Sequence, residues 1–373
     1  MDPRGSVEER RLEFEEKRAR VARWLGDVRM DGLLLRRWEN LSWIACGADH
    51  GAERDREAGE AAVWVDAKGL TLLAPNTEAA RFDEEELDGL ELEIVSWPWY
   101  RDAQSEVQRF VAGRRAVCDS SFAGFADQRE SIARLRYSLT PQEVARYRSL
   151  GRDAARVVEE VARECKRGTP ERLLAARLAE ALRSLGIEPT VLFVAADDRI
   201  DRFPRPVPTE ARVGHRAMLS VCARRHGLTV ALTRIVQFGE LSTAMESKQQ
   251  AVSEIDAAII AASRPGVKGS ALFERLLDLY SQAGYPGEWQ TREQGGAIGY
   301  SNRDWLAHPG QIEPVRPRQA MAWCPSVAGA RSEDTIIVDD GGFEVVTKGE
   351  GNWPERVIDV NGAAIARPDV LTL

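Results

Sequence analysis

The chain has 373 residues, with 51 Lys and Arg against 59 Asp and Glu, a formal charge of −8 at neutral pH. That length suits two or three domains with ample core, and a composition of 43% hydrophobic and 29% charged residues excludes a disordered or fibrous chain. No apolar run approaches the ~20 residues of a membrane-spanning helix, the N-terminal residues are charged rather than signal-like, and the acidic balance lacks a basic stripe. Neither a membrane nor a nucleic acid is therefore expected as a partner. The 5 cysteines, Cys46, Cys118, Cys165, Cys222 and Cys324, are odd in number and widely spaced. They read as reduced thiols of a cytoplasmic protein.

From Val7 to Val28, Phe14, Val21, Trp24, Leu25 and Val28 fall on one helical face with charges opposite. Gly32 opens a short buried strand. Two further strands, at 61–66 and 70–74, flank the turn Ala67-Lys68-Gly69 and predict a hairpin. A strand at 92–96, a helix at 105–111 and a strand at 115–119 complete an α/β domain over residues 1–136.

The second domain, residues 137–373, opens where Thr140 caps a helix and Pro141 takes its first position. That helix extends to about Lys166 with Val144, Tyr147, Leu150, Val157 and Val161 along its apolar stripe. A second helix follows Gly168-Thr169-Pro170. Strands are predicted at 191–195, 217–223 and 228–238, helices at 242–262 and 270–283, and strands at 319–323, 334–338 and 343–346. The fold class is α+β, with helices packed on a curved, mostly antiparallel sheet.

Several fragments in this order resemble one family. Glu39-Asn-Leu-Ser-Trp-Ile-Ala-Cys-Gly47 resembles the start of a strand in its N-terminal domain, and Leu139-Thr-Pro-Gln-Glu143 its domain opening. Gly227-Leu-Thr-Val-Ala-Leu-Thr-Arg234 is similar to its "GYxxDxTRT" motif, Gly295-Gly-Ala-Ile-Gly299 to "GHGIG" and Trp323-Cys-Pro325 to "xEP". Arg331-Ser-Glu-Asp-Thr-Ile-Ile-Val338 resembles its last ligand strand. Together they identify the chain as a divergent member of the creatinase/aminopeptidase P, or peptidase M24, family, similar to a Xaa-Pro dipeptidase. The resemblance implies a small N-terminal domain, a C-terminal "pita-bread" domain and a homodimer. It also makes the loop Gly47–Gly59 a candidate cover for the neighbouring subunit's pocket.

Metallopeptidases of the family hold two divalent ions with two Asp, one His and two Glu. Carried over, the Asp positions fall on Ser220 and Ala231, the His on Gly296 and one Glu on Cys324, so Glu333 alone keeps its type. A single carboxylate does not hold two dications, and the expectation is no metal and no cofactor. The pocket implied is lined by Ser220, Cys222, Arg224, Arg205, Arg303, Asp304, Cys324 and Glu333. Removing carboxylates and adding arginines turns a cation trap into an anion receptor.

Glu333 is expected as general acid/base, Arg224 and Arg303 as an anion clamp with Arg205 nearby, and Asp304 as an orienting group. Arg331 beside Glu333 favours the ionised base. Glu333 also reads as a structural remnant paired with Arg224 or Arg303. Cys324 reads either as a nucleophile or as a small buried thiol. Gly296 offers a close backbone approach or a tight strand link, Trp323 a pocket wall or core packing, and Arg234 a sheet-holding role. The resulting expectation is a metal-independent enzyme performing C–N hydrolysis, or a lyase, isomerase or cyclase step, on a small anionic amino-acid- or peptide-like substrate. A non-catalytic binding protein and a Xaa-Pro metallopeptidase with altered ligands are the alternatives.

Overall fold

The computed structural model describes residues 4–49, 58–90, 92–122 and 124–373, which divide into two units: residues 1–146 with 226–228, and residues 147–225 with 229–373. In the first, α1 (Val7–Val28) begins at a capping box in which the Ser6 hydroxyl accepts from the Glu9 N–H and the Glu9 carboxylate accepts from the Ser6 N–H. Arg29, left-handed at φ 58°, ends it. Then come β1 (Gly32–Arg37), α2 (Trp38–Ile44), β2 (Ala58–Asp66), β3 (Leu70–Pro75), α3 (Asn76–Arg81), β4 (Glu93–Trp97), α4 (Ala103–Val111), β5 (Ala116–Cys118), β6 (Ala126–Asp127) and α5 (Arg129–Ala133). The hairpin expected around Ala67-Lys68-Gly69 is β2–β3, antiparallel with Ala62 opposite Leu73.

The six strands form a mixed sheet ordered β4-β3-β2-β1-β5-β6. Its core gathers Leu34, Ala62, Trp64, Leu73, Trp97, Val107 and Val111. The segment 39–47, expected to begin a strand, is instead mostly the helix α2. Before Ile44 it has no β-branched residue to favour extension. The Asp119 carboxylate also anchors its start by accepting from the Arg36 and Arg37 N–H groups and the Asn40 amide. A buried charge cluster lies below. The Lys17 ammonium contacts Glu13 at 2.6 Å and Glu143 at 2.8 Å, and Arg146 contacts Glu13 at 2.6 Å. Burial alone would raise Glu13, but Lys17 and Arg146 hold it at about 2.

The second unit takes most of α6 (Pro141–Arg163), whose capping box pairs Thr140 with Glu143. It continues through α7 (Glu171–Arg183), β7 (Glu188–Ala196), α8 (Asp198–Arg202), β8 (Arg216–Arg225), β9 (Leu228–Gln237), α9 (Thr243–Ala262) and α10 (Gly269–Gln282). The C-terminal strands are β10 (Gly295–Ala297), β11 (Trp305–Leu306), β12 (Gln319–Trp323), β13 (Ser326–Val327), β14 (Ala330–Arg331), β15 (Asp334–Asp339), β16 (Gly342–Val345), β17 (Glu355–Val360), β18 (Ala363–Pro368) and β19 (Leu371–Thr372). Two sheets dominate, ordered β19-β9-β8-β7 and β11-β10-β12-β15-β16. Pairing is antiparallel except that β19 joins β9 in parallel. This is the α+β layout with mostly antiparallel strands read from the sequence. The β17–β18 hairpin was not anticipated, because its strands are short and half-exposed and carry little hydrophobic alternation. Among the described residues no helix is long and apolar enough to cross a membrane.

Candidate functional site

The site is built around Glu333, which lies between the β13–β14 hairpin and β15 and is 2% exposed. Its Oε2 accepts from Thr233 Oγ1 at 2.6 Å, Arg331 Nη2 at 2.7 Å and Ser220 Oγ at 3.3 Å. Its Oε1 faces Arg303 Nη2 at 3.6 Å. Strand alternation explains the arrangement: Ser220 on β8 and Thr233 on β9 turn the same way as the residues two positions along, Cys222 and Ala231. Burial alone would raise Glu333's proton affinity, but the guanidinium groups of Arg331, Arg303 and Arg292 outweigh it and hold the carboxyl below its ordinary range.

The arginines are not fully used by this carboxylate. Arg331 is buried, and among the described residues its Nε and Nη1 have no hydrogen-bond partner, nor does the buried Nε of Arg303. Burial and the neighbouring Arg292 lower Arg331's own proton affinity. Each unmet buried donor costs roughly 1–3 kcal/mol, which an acceptor brought in by a ligand would recover. Arg292 and Arg331 line a cavity of ≈ 190 Å³ whose apolar walls include Ile200, Phe203, Met218 and Val327.

Cys324 is buried, with Arg292 Nη2 at 3.8 Å and Arg303 Nη2 at 4.0 Å from its sulfur and its thiol donating to the Glu293 carbonyl at 3.5 Å. Burial pushes the Cys222 thiol up to about 11 despite the nearby Arg303. Arg303 therefore bridges the Cys324 thiol and the Glu333 carboxylate. The remaining expected residues lie apart from this cluster. Arg205 is exposed, pairs with Glu293 at 3.5 Å and stacks over Phe193. Arg224 sits opposite Glu188 at the far end of β8. Asp304 packs its carboxylate against the Gly299 backbone. Trp323 is core, its indole N–H donating to Ser263 Oγ at 2.9 Å. Gly296 lies between Leu306 and Ala322 in the sheet, where a Cβ would overlap the Trp305 carbonyl oxygen, a tight strand link.

Two contributors escaped the sequence reading. Thr233 precedes the noticed Arg234, and its place two residues from Ala231 on one strand face was a usable signal. Arg292 lies in a loop with no periodicity, and only the fold brings it in. Behind the site, Arg234 is buried between Glu159 at 3.1 Å and Asp334 at 3.1 Å, with Arg367 on the other Asp334 oxygen at 2.8 Å. This is the sheet-holding role expected of Arg234. Among the described residues no group of three or more His, Cys, Asp or Glu side chains gathers where it could hold a metal ion.

The sequence profile of Metallopeptidase family M24 matches residues 145–340. An uncharacterized peptidase of Staphylococcus aureus strain MW2 is 23% identical over 258 residues, 65% of this chain and 72% of that protein. The prolidase of Pyrococcus horikoshii OT3 superposes with a TM-score of 0.77 at 17% identity, covering 90% of this chain and 99% of that one. The Xaa-Pro dipeptidase of Bacillus anthracis gives 0.75 at 18% identity, covering 96% and 100%.

Proposed function

The chain belongs to metallopeptidase family M24, and we propose that on this peptidase fold it carries out acid/base chemistry on a small anionic amino-acid- or peptide-like molecule without a resident metal pair. One observation carries this reading: Glu333 is surrounded by Arg331, Arg303 and Arg292, and donors on two of them have no hydrogen-bond partner among the described residues. Two divalent ions need several anionic oxygens. The positions that resemble the family's ligands offer here a serine hydroxyl, Ala231, Gly296, a thiol and one carboxylate already bonded to a guanidinium. Such a donor set does not fit the pair.

The Nε and Nη1 of Arg331, on either side of the Nη2 bonded to Glu333, each leave an N–H for an oxygen of a substrate anion. Glu333 in its ionised form is a weak base as long as those guanidinium groups depress it. A substrate anion on Arg331 and Arg303 neutralises that charge and so raises the basicity of Glu333 when substrate is present. The carboxylate then takes a proton from water or from a substrate N–H, as C–N hydrolysis or a lyase, isomerase or cyclase step requires. The homodimer and the cytoplasmic setting belong to this proposal, and light scattering tests the dimer. The candidate cover loop falls largely on residues 50–57, outside the described residues.

Elemental analysis of protein purified without chelator tests the central claim. Less than one transition-metal ion per chain is expected, together with binding of short peptides that weakens when their C-terminal carboxylate is amidated. Two ions per chain, with Gly-Pro hydrolysis that chelation abolishes, would overturn it in favour of a metallopeptidase with altered ligands.

A further inference from the structure

The cavity of ≈ 190 Å³ beside the Glu333 cluster is lined by two opposite charges, Arg292 and Glu288, both half-buried. The Arg292 guanidinium donates only over long distances, to the Pro204 carbonyl at 3.3 Å, the Glu293 carbonyl at 3.4 Å and the Cys324 sulfur at 3.8 Å. Glu288 accepts one hydrogen bond, from the Ala328 N–H to its Oε2 at 3.3 Å. Among the described residues neither side chain forms an ion pair, with the other or elsewhere. The remaining charged groups of the lining are already paired. Asp201 contacts Arg216 at 2.8 Å, Arg202 contacts Asp198 at 3.2 Å and Arg331 contacts Glu333 at 2.7 Å. Behind Arg292, the single carboxylate Glu333 answers three guanidinium groups, so that end of the cavity stays positive. At the other end, Lys248 gives its ammonium to the Ala328 carbonyl at 2.8 Å rather than to Glu288. The walls Ile200, Phe203, Met218 and Val327 are apolar.

We propose that the substrate of this site is a compact α-amino acid with an apolar side chain, bound as the zwitterion. Its carboxylate lies on Arg292 beside Arg331, its ammonium on Glu288, and its side chain among Ile200, Phe203, Met218 and Val327. The inference deepens the function proposed above and rests on it. Two half-buried charges that are held apart lose hydration without repaying each other. A ligand carrying both complementary charges restores those interactions at each end, and charge-assisted hydrogen bonds are the strong ones. A monocarboxylate without an ammonium leaves Glu288 unanswered, and an amine without a carboxylate leaves Arg292 so. A second negative charge on the ligand would meet Asp201 and Glu288. Size narrows the class further. An apolar cavity of about 150 Å³ takes up one benzene ring, so this one holds a single side chain with its α-carbon groups and no second residue.

Calorimetric titration of the full chain with L-leucine, N-acetyl-L-leucine, L-leucinamide and glycine tests this. Leucine is expected to bind one site per chain, about tenfold or more tighter than each of the other three, which lack the ammonium charge, the carboxylate or the side chain. Glu288→Gln is expected to weaken leucine about tenfold and N-acetyl-leucine not at all. N-acetyl-leucine binding as tightly as leucine, glycine matching leucine, or undiminished leucine binding in Glu288→Gln would each overturn the assignment while the anion receptor stands. Leucinamide binding as tightly as leucine, or no binding of leucine and N-acetyl-leucine at millimolar concentration, would overturn the underlying reading along with it.

Discussion

Neutralising Glu333 tests the electrostatics of the site most directly. In Glu333→Gln the amide retains an acceptor for Thr233 and Ser220, but the negative charge 2.7 Å from Arg331 and 3.6 Å from Arg303 disappears. Removing one partner of a buried ion pair costs about 3–5 kcal/mol, because the other charge stays buried without compensation. Arg303 and Arg292 both act on Arg331, and without Glu333 their mutual repulsion is uncompensated, so the penalty belongs at the upper end of that range. The same loss should make the cluster a stronger anion receptor. Phosphate or a peptide carboxylate is therefore expected to raise the variant's unfolding midpoint more than the parent's, by an amount that follows RT ln(1 + [L]/Kd). A double substitution, Arg331→Met with Glu333→Leu, removes both charges and should recover most of the lost stability. Chemical denaturation with and without phosphate measures all of these effects. A Glu333→Gln protein as stable as the parent, or a double variant as damaged as the single one, would refute the reasoning.

Other outcomes follow from the same coordinates. Glu333's folded-state affinity for protons lies below its unfolded one, so its stabilising contribution is complete above about pH 4.3 and is lost only as pH falls through the lower folded value. The stability difference between the parent and Glu333→Gln should therefore be flat from pH 5 to 8 and shrink in acid. Asp119 behaves oppositely: burial pushes it up to about 6 against the donors Asn40, Arg36 and Arg37. The folded state then holds the proton longer, so stability should decline between about pH 4 and about 6, a slope that Asp119→Asn removes from a pH series of urea midpoints. Gly295, at φ 111°, has no room for a Cβ beside the Ala322 carbonyl, and Gly295→Ala should lower the unfolding free energy by about 2–4 kcal/mol or leave the protein insoluble. Arg331→Lys replaces a planar fork by a point charge and should weaken carboxylate ligands about tenfold while keeping Glu333 paired, which a peptide titration checks.

Periodicity made the long elements legible. The stripe Val144, Tyr147, Leu150, Val157 and Val161 gives α6, and the turn at Lys68-Gly69 gives the β2–β3 hairpin. It failed where tertiary contacts outweigh local preference. α2 is buried from Glu39 to Ile44 and held at its start by Asp119, some 80 residues away in sequence, and nothing in Trp38–Ile44 alone announces that. At the site, chain neighbours were visible and distant partners were not. Arg331 stands two residues from Glu333, whereas Arg292 reaches the cluster from a loop and Thr233 from another strand. The expected clamp residue Arg224 follows the same strand alternation as Ser220 and Cys222, but the period cannot tell how far along β8 the cluster extends. Arg224 lies opposite Glu188, near the end of the strand.

Two features of the backbone bear on the positions that the proposed function reads as altered ligands. The residue that resembles the family's histidine position, Gly296, is clasped on both sides by strands, with Leu306 across from it on β11 and Ala322 on β12. Any side chain there meets the Trp305 carbonyl before it can reach toward Glu333. At Ala231, the Thr335 hydroxyl accepts from the backbone N–H at 2.7 Å and donates to the backbone carbonyl at 3.0 Å, tying β9 to β15 at the point where the second Asp would project. A side chain at Gly296 therefore means reshaping sheet contacts, whereas the backbone bonds at Ala231 set no such limit. Arg331, by contrast, already sits where its charge acts on Glu333. Under the proposed reading, the anion receptor is held by its own packing as well as by its charges.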